Sequence, residues 1–393
     1  MLHKMESCTG CGACVNACPS NCLKLQYDEW GFLQPKIKES ECFDCSRCED
    51  VCPVIHPIKR VNFAIPKCFA GWNKDAEIRR ISTSGGVFSA LAEYVLSLNG
   101  IVCGVVLGDE LQPHHTIAVT IDEAKRLRGS KYLQSDTRTV FCEVQEALLS
   151  NKDVLFSGCP CQVAGLYSFL ENKRIEKLLT CEVVCHGVPS RKVFDWDKQN
   201  WEKKMGSTIV NINFRSKKFG WDVSAQHFKF KNGKDKTVKA QNSMFMRAYY
   251  SSLCIRKSCV ECIYAKLPRI ADITIGDYWN AVFQNYTKSE IQQGISLILI
   301  NNEKASNVIS ALQDKIVHES ISIHDATAQN TNIAWLGKPN PQRSEFLAEY
   351  ALSDIRYIRK KYFPITIKSY LASILGKRLT KKIKVFLNNL QRR

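Results

Sequence analysis

Apolar and polar positions follow different periods along the chain. Residues 22–37 alternate apolar and polar side chains around a polar centre at 28–31, which predicts a β-hairpin. After residue 66, short apolar runs typical of strands are followed by segments with helical spacing. The predicted strands are 68–73, 101–108, 154–156, 178–184 and 272–277, and the predicted helices are 87–100 and 191–206. This order indicates an α+β protein, in which a small N-terminal module precedes a larger α/β domain.

The apolar runs are short. The longest aliphatic stretch, 295–300, is interrupted by Ser296, whereas a membrane span needs roughly 20 residues. The first ten residues contain no apolar core of a secretory signal. With 45% apolar and 24% charged residues in 393 positions, the composition is that of a folded soluble protein. We therefore expect a cytoplasmic location.

The C-terminal tail is unlike the rest. From Ile367 onward, apolar residues recur at spacings of three and four, which predicts an amphipathic helix. Residues 355–393 contain twelve Lys or Arg and no Asp or Glu, although the whole chain has a net charge of +17. Such a helix suits peripheral contact with the inner face of an anionic membrane. The alternative is a helix that docks on the core with its lysines in water.

Cysteine changes this picture most. The chain has nineteen, of which nine lie in the first 52 residues. In a large chain without a secretion signal, clustered cysteines favour metal binding or redox chemistry over disulfides. Cys8, Cys11, Cys14, Cys18 and Pro19 recur at an offset of 34 as Cys42, Cys45, Cys48, Cys52 and Pro53. This doubled C-x2-C-x2-C-x3-C-P run is that of the bacterial two-cluster ferredoxins.

In such a run the fourth cysteine binds the other cluster. The first 4Fe-4S cluster is therefore expected on Cys8, Cys11, Cys14 and Cys52, and the second on Cys42, Cys45, Cys48 and Cys18. Zinc knuckles, the alternative, pair two C-x2-C elements across a longer spacer, which does not fit this run. Cys22 lies outside the pattern and is expected to be a packed thiol.

Two features after residue 66 point to ligand binding. A Ser- and Gly-rich turn at 82–86 precedes a helix, so its backbone N–H groups suit a phosphate or a flavin pyrophosphate. The alternative is a simple helix cap. Cys159 and Cys161 lie where a strand leads into a helix, whose N-terminus would lower a thiol pKa. The alternative is that one thiol is packed while the other lines a pocket.

Residues 213–221 are expected to form a strand that carries Arg215 and Lys217 on one side. These cations would bind an anionic group of a substrate, or they would belong to a solvated basic edge strand. Cys185 and His186 are adjacent in an extended segment, so their side chains should point to opposite faces. A Cys–His nucleophilic dyad is therefore disfavoured.

A third cluster is expected from Cys254, Cys259 and Cys262, which are spaced as C-x4-C-x2-C. Three thiolates lack a fourth ligand, which Cys185 or Cys181 would supply through the fold. A structural zinc ion is the main alternative.

Taken in order, these segments resemble a known family. The motifs are STSGGVFSALA, GSKYLQS, FSGCPCQVAGL, CHGVPS, FRSKKFGW, CIRKSCVEC and DITIGDYW. Residues 1–340 resemble the beta subunit family of coenzyme F-420 hydrogenases and dehydrogenases, fused behind a two-cluster ferredoxin. The resemblance implies an FAD-containing oxidoreductase domain with its own 4Fe-4S cluster. Similar proteins include ferredoxin-dependent reductases of the chlorophyll pathway and proteins associated with bacterial surface polysaccharides.

The resemblance also implies roles for particular residues. Flavin contacts are implied for Ser84, Gly85, Gly86, Ser130, Lys131 and Tyr132, and Cys161 and Gln162 would lie at the isoalloxazine end. The core cluster would be held by Cys185, Cys254, Cys259 and Cys262. Many relatives carry Thr where this chain has Cys159, which adds a second thiol to the pocket. Family membership alone does not establish a deazaflavin substrate.

The expected function is that of an iron-sulfur flavoprotein oxidoreductase. Electrons would pass between a ferredoxin-like donor, the clusters, FAD and an organic acceptor beside Cys161, Arg215 and Lys217, in either direction. The acceptor would be a small organic molecule such as a deazaflavin or a polysaccharide precursor. One alternative is an electron-transfer subunit without its own substrate. A redox-sensing nucleic-acid-binding protein ranks third, because the sequence contains no recognised nucleic-acid motif.

The expected organisation is a ferredoxin domain, a linker, two parts of the oxidoreductase domain and a basic tail. Their boundaries are 1–55, 56–66, 67–150, 151–340 and 341–393.

Overall fold

The computed structural model describes residues 6–279, 286–328, 330–333 and 339–364. By its internal contacts the chain divides into two units, Met1–Asn340 and Pro341–Arg393. The amphipathic helix expected from residue 367 lies outside the described residues, so the membrane contact stays a prediction. None of the helices in the described ranges combines the length and the hydropathy that a membrane span requires.

The predicted hairpin is confirmed. Strands β1 (Leu23–Tyr27) and β2 (Leu33–Ile37) pair antiparallel, and the Asp28 carboxylate closes the turn by accepting the N–H groups of Trp30 and Phe32, both at 2.9 Å. Two single-turn helices, α1 (Ala13–Asn16) and α2 (Arg47–Asp50), occupy equivalent places in the two cysteine runs. Residues 6–55 therefore have the internal symmetry that the repeat predicts.

Beyond the linker the chain forms one large sheet and one small sheet. The strands of the large sheet are β3 (Lys67–Asn73), β4 (Ile101–Leu107), β5 (Pro113–Ala118), β6 (Val154–Gly158), β7 (Leu178–Val183), β11 (Ile273–Asp277), β12 (Ser296–Ile300) and β13 (Ile316–Ser320). The small antiparallel sheet contains β8 (Ile209–Asn213), β9 (Ala225–Phe230) and β10 (Asp235–Lys239). The helices that accompany them are α3 (Ala76–Ile81), α4 (Val87–Ser97), α5 (Ile121–Leu127), α6 (Val140–Leu149), α7 (Pro160–Phe169), α8 (Arg191–Met205), α9 (Met244–Tyr250), α10 (Lys257–Val260), α11 (Lys288–Gln292), α12 (Glu303–Ala311) and α13 (Ile323–Ala328).

The large sheet has the order β13-β3-β12-β11-β7-β6-β4-β5. Its centre, β11-β7-β6-β4, is parallel, and the remaining neighbours pair antiparallel. Alternate residues of β6 serve two cores, because side chains of a strand point to opposite faces. Leu155 packs in the core that contains Leu91 of α4, whereas Phe156 packs in the core that contains Leu166 of α7. Helices thus cover both faces, as a parallel centre requires.

The segment expected to be a linker, 56–66, is fixed to the large sheet. Asn62 donates to the carbonyls of Arg269 and Ala271 at 2.8 and 3.1 Å. The Arg60 guanidinium lies 4.2 Å above the ring of Tyr167 and 3.5 Å from the buried carboxylate of Asp272. These contacts set the path by which the chain leaves the cysteine-rich part.

The cysteine-rich part is joined to the large sheet around Arg256, whose side chain is almost fully buried. Its guanidinium donates to the carbonyl of Cys8 at 3.0 Å, to the carbonyl of Leu33 at 2.6 Å and to Oε1 of Gln134 at 2.6 Å. On α7, a Cβ at Gly165 would stand only 3.0 Å from the sulfur of Cys11. A larger residue there would therefore push the two parts apart.

The unit from residue 341 contains α14 (Arg343–Glu349) and α15 (Ile355–Tyr362). Phe346 stacks on Tyr350 and meets Tyr362 edge-on at 5.1 Å, so these two helices share an aromatic core.

Candidate redox centres

A cavity of about 390 Å³ opens at the carboxyl ends of the four parallel strands. Residues from these ends line it: Gly104 and Val105 of β4, Ser157 and Gly158 of β6, Val183 of β7, and Ile275, Gly276 and Asp277 of β11. In open α/β sheets this edge is where ligands bind, because the loops diverge there and leave a crevice. We call it the main cavity.

The turn at 82–86 lines one end of the main cavity. Gly86, with φ +86°, is the N-cap of α4, and α4 has no side-chain cap. The Ser82 hydroxyl instead donates back to the carbonyl of Ile78 at 2.7 Å. The first N–H groups of α4 are therefore without a side-chain acceptor, which favours an anionic ligand over the simple helix cap.

Ser84 and Gly86 line the main cavity, as expected, but Gly85 does not belong to its lining. A Cβ at Gly85 would stand 2.5 Å from the carbonyl oxygen of Gly71 and 2.9 Å from the backbone nitrogen of Ser296. The glycine is therefore required by close packing against β3 and β12. The contact with a flavin that the family resemblance implied for Gly85 stays a prediction.

The loop 129–135 lines the same cavity and carries Ser130, Lys131 and Tyr132 into it. Thr83 accepts the N–H of Ser130 at 2.9 Å, so this loop is joined to the turn at 82–86. The Lys131 ammonium donates to the carbonyls of Leu127 and Arg128, and burial lowers its pKa to about 7. Lys131 therefore stabilises the backbone of this loop.

Arg128 was not predicted from the sequence, yet it also lines the main cavity. Its Nε donates to the Ser89 hydroxyl on α4 at 2.8 Å, which places a cation beside the start of that helix. An Arg directly before a Gly-Ser turn was the available signal, because phosphate sites often pair a cation with free backbone N–H groups.

Gln162 lines the cavity from the first turn of α7. Its Oε1 accepts the N–H of Cys159 at 3.0 Å, and its Nε2 donates to the Ser135 hydroxyl at 3.0 Å. That hydroxyl in turn lies 3.1 Å from Nδ1 of His115. Burial lowers the pKa of His115 to about 4, so the imidazole is neutral at neutral pH. The amide of Gln162 is thus held in one orientation at both ends.

The strand expected for 213–221 is wrong, because β8 ends at Asn213 and Arg215 lies in the loop that follows. The Arg215 guanidinium donates to Asp277 at 2.8 Å and to the Tyr132 hydroxyl at 3.2 Å, and it lies 4.9 Å from the ring centre of Trp279. Arg215 lines the main cavity, but Asp277 neutralises its charge.

Lys217 is not part of the cavity lining. Its ammonium donates to three backbone carbonyls, those of Arg79, Ser84 and Gln293, at 2.6 to 2.8 Å. As an ammonium the side chain meets three acceptors and ties down the turn that carries Ser84. Binding of an anionic substrate by Lys217 stays a prediction.

A second, smaller cavity adjoins the main cavity, and Cys161, Cys185, Cys259 and Cys262 line it. Cys254, which was expected among these ligands, is fully buried and does not belong to the lining of this cavity, and its carbonyl accepts the N–H of Ser190 at 2.7 Å. Cys161, which was not expected among the ligands, belongs to the lining. We call this the four-thiol cavity.

The pKa is raised for three of these thiols and lowered for Cys185, to which the Cys159 thiol hydrogen-bonds. Burial raises the pKa of Cys161 well above its usual range, and the charges of Cys185, Cys259 and Cys262 raise it further. Burial also raises the pKa of Cys259 to about 12 and that of Cys262, with added contributions from the neighbouring thiols. The expected lowering by a helix N-terminus is wrong for Cys161, because burial outweighs the helix.

Cys159 lies beside this group. Its thiol hydrogen-bonds to that of Cys185, and this bond, together with burial, raises the pKa of Cys159. His186 follows Cys185 and lines both cavities, with Nδ1 3.1 Å from the amide nitrogen of Asn332. Cys185 and His186 lie beyond the end of β7, so the alternation of side chains along a strand does not decide which way they point.

In the ferredoxin part, a third cavity is lined by the first expected ligand set, Cys8, Cys11, Cys14 and Cys52. Burial raises the pKa of Cys8, Cys11 and Cys14, and in each case Cys52 raises it further. Crowded, buried thiols are costly as free anions, and bound iron would compensate them. The residues present thus fit a 4Fe-4S cluster both here and in the four-thiol cavity.

The second expected set is less crowded. Cys48 has a pKa raised by burial, with contributions from Glu49 and Cys45. Cys22, expected to be a packed thiol, is indeed buried, but its sulfur lies 3.4 Å from that of Cys18. It therefore adjoins the second cluster site. Within the described ranges, no three His, Cys, Asp or Glu side chains are arranged to hold a single metal ion.

Family models match three segments of the chain. Residues 68–141 match the N-terminal domain, and residues 151–326 the C-terminal domain, of the coenzyme F420 hydrogenase/dehydrogenase beta subunit. Residues 7–55 match the 4Fe-4S dicluster domain. The chain belongs to this beta subunit family. Its N-terminal part is a 4Fe-4S dicluster domain, which supports iron-sulfur clusters there.

Individual relatives match parts of the chain. An uncharacterized protein of Methanocaldococcus jannaschii is 26% identical over 196 residues, which are 42% of this chain and 53% of that protein. The ferredoxin-type protein NapF of Escherichia coli is 39% identical over 51 residues, 13% of this chain and 30% of NapF. A ferredoxin-like protein in the nif region of Sinorhizobium fredii is 42% identical over 52 residues, 12% of this chain and 78% of that protein. The chain thus spans about half or less of the first two relatives.

One chain in a solved structure of the F420-reducing NiFe hydrogenase complex from Methanosarcina barkeri is similar, with a TM-score of 0.48 and 18% identity. The match covers 70% of this chain and 91% of that one.

Proposed function

We propose that the chain is an iron-sulfur flavoprotein oxidoreductase that moves electrons between a protein donor and a small organic acceptor. Its cofactors are two 4Fe-4S clusters in the ferredoxin domain, a third in the four-thiol cavity, and FAD in the main cavity. The proposed ligands of the third cluster are Cys161, Cys185, Cys259 and Cys262.

One observation supports this proposal above the others: the three cavities form a continuous row. Thr9 lines both the ferredoxin cavity and the four-thiol cavity. Cys161 and Cys185 line both the four-thiol cavity and the main cavity. Cofactors in these places would follow one another at the short separations that electron transfer requires.

The residues of the main cavity support a dinucleotide flavin with one orientation. The first turn of α4, Arg128 and the loop at Ser130 offer N–H groups and a cation at one end, which suits a pyrophosphate. The isoalloxazine end would then lie toward Cys161 and Gln162, beside the third cluster. When bound, FAD supplies the ability to couple one-electron and two-electron transfer.

The protein residues at this end position the bound groups and exclude water, and they take no chemical part in the reaction. Gln162 is fixed by Ser135 and can present its amide in one orientation only. Tyr132 and Tyr249, with ring centres 5.3 Å apart, form an aromatic wall, and burial raises the pKa of both, so both stay protonated. Because Asp277 neutralises Arg215, this region favours a planar, weakly charged acceptor over a strongly anionic one.

Cofactor analysis of the anaerobically purified full chain tests the proposal. We expect FAD and about twelve iron atoms per chain, since each 4Fe-4S cluster holds four. About eight iron atoms with bound zinc would contradict the third cluster, and a colourless supernatant after acid release of cofactors would contradict the flavin. A screen of organic acceptors then separates an enzyme from an electron-transfer subunit, which would reduce artificial dyes alone.

A further inference from the structure

The two clusters of the ferredoxin domain differ in their access to solvent. All nineteen cysteines lie within the described residues, and among them only Cys45 has an exposed side chain. Cys11 and Cys14 of the first site are buried. A protein partner would therefore reach the redox chain through the second site.

The internal repeat identifies the contact point. At the offset of 34, Phe43 corresponds to Thr9, which follows the first cysteine of its own run. Thr9 is buried and is the residue that the ferredoxin cavity shares with the four-thiol cavity. On the first site this position thus faces the next redox centre within the molecule. On the second site the equivalent side chain, Phe43, is 63% exposed, and in the sequence it lies between Cys42 and Cys45, two of the expected cluster ligands.

The charge around Phe43 is opposite to that of the chain. Residues 38–50 contain five acidic and two basic side chains, in a protein of net charge +17. Both basic side chains are engaged in ion pairs, Lys38 with Glu41 and Arg47 with Glu171. Glu39, Asp44 and Asp50 are exposed. The surface is therefore an exposed aromatic ring within an acidic rim.

We propose that this surface, residues 39–50 with Phe43 at its centre, docks an electron-transfer protein whose own contact face is basic around an apolar centre. An exposed ring next to a redox centre provides apolar contact area, while the acidic rim orients the encounter. The inference rests on the proposed function only in requiring that the ferredoxin clusters are present. It says nothing about flavin or the organic acceptor.

Electron transfer to oxidised cytochrome c, a basic haem protein, tests the proposal. The full chain is reduced anaerobically, and stopped-flow absorbance follows one electron passing from a cluster to each haem iron. The test variant is Glu39→Lys/Glu41→Lys/Asp50→Lys. The matched control, Glu176→Lys/Asp235→Lys/Asp314→Lys, makes the same charge change at exposed sites elsewhere.

We expect the test variant to react at least about tenfold more slowly than the control at low ionic strength, and we expect salt to slow the native chain but not the variant. Phe43→Ala should slow the reaction about fivefold, and Phe43→Tyr should restore it. Equal rates in the two triple variants, or no effect of Phe43→Ala, would overturn the inference. Iron content, measured on every variant, confirms that the clusters are intact.

The two proposals fail separately. A chain that lacks flavin but shows the expected dependence on the Phe43 surface would retain the docking surface and lose the proposed oxidoreductase activity. A flavin-loaded chain whose reaction with cytochrome c does not depend on this surface would retain the proposed oxidoreductase activity and lose the docking surface.

Discussion

Nη1 of Arg215 lies 2.8 Å from Oδ2 of Asp277, and the indole nitrogen of Trp221 donates to the other carboxylate oxygen at 3.1 Å. The ion pair is largely buried, with 4% and 14% of the two side chains exposed. A buried pair of this kind is sensitive to loss of one partner, because the remaining charge is left uncompensated. It also explains why an Arg at the edge of the main cavity need not bind an anion.

Replacing Asp277 by Asn should therefore destabilise the protein. We expect the free energy of unfolding to fall by about 3 kcal/mol, since Asn leaves the Arg215 charge buried without its counter-charge. Urea denaturation followed by circular dichroism measures the change. Asp314→Asn, at an exposed position, serves as the control and should be neutral within about 0.5 kcal/mol. An unchanged midpoint for Asp277→Asn would show that the pair is not structurally important.

The ligand set of the third cluster can be read from iron content. Cys161→Ser should reduce bound iron from about twelve to about eight atoms per chain, because Cys161 lies in the four-thiol cavity. Cys254→Ala should retain about twelve, because Cys254 does not belong to the lining of that cavity. Iron analysis with electron paramagnetic resonance of the reduced protein measures both. The opposite pattern, with Cys254→Ala losing the cluster, would restore the ligand set expected from the sequence.

Lys217 is expected to position the cavity rather than bind substrate. Lys217→Met leaves three backbone carbonyls, two of them partly buried, without their donor, so the turn at Ser84 should loosen and flavin occupancy should drop several-fold. The adjacent, exposed Lys218→Met supplies the control. Flavin fluorescence after denaturation quantifies occupancy. If Lys217→Met kept its flavin and changed only the KM for an anionic acceptor, Lys217 would be a substrate-binding residue after all.

Stability should decline in mild acid through His115. Its pKa is about 4 in the folded protein and about 6.5 when unfolded, so only the unfolded chain takes up a proton between these values. Above pH 6.5 the contribution of His115 to stability is fully present. The free energy of unfolding should fall as pH decreases from 6.5 toward 4. His115→Gln removes this contribution, which reaches at most about 3 kcal/mol. Urea titrations at pH 7 and pH 5 measure the difference, and His324→Gln, at an exposed ring, should retain the native slope.

The local sequence pattern was sufficient to predict the cysteine grouping of the ferredoxin part and the positions of the parallel strands. The repeat at an offset of 34 specifies which cysteines share a site, and the first set indeed lines one cavity. Short apolar runs predicted β4, β6 and β7 because strands buried on both faces leave a strong signal. In these places neighbouring residues in the sequence contain all the necessary information.

Long-range packing decided what the sequence did not reveal. Cys254, Cys259 and Cys262 look like one ligand loop, but of these three only Cys259 and Cys262 line the four-thiol cavity. Cys161 lines it with them, although it is nearly a hundred residues away in the chain. For Lys217, likewise, only the fold shows that the carbonyls of Arg79 and Ser84 and that of the distant Gln293 converge on it.

The buried Arg256 has a kinetic consequence. A freely diffusing ferredoxin delivers electrons in a second-order reaction, whose rate depends on how often two molecules meet. Here the guanidinium holds Cys8 and Leu33 of the ferredoxin domain against Gln134 of the larger domain. With the clusters in place, transfer across this junction is first-order, and its rate constant is independent of protein concentration. Dilution would slow only the encounter with the external partner, and every step inside the molecule would proceed as before.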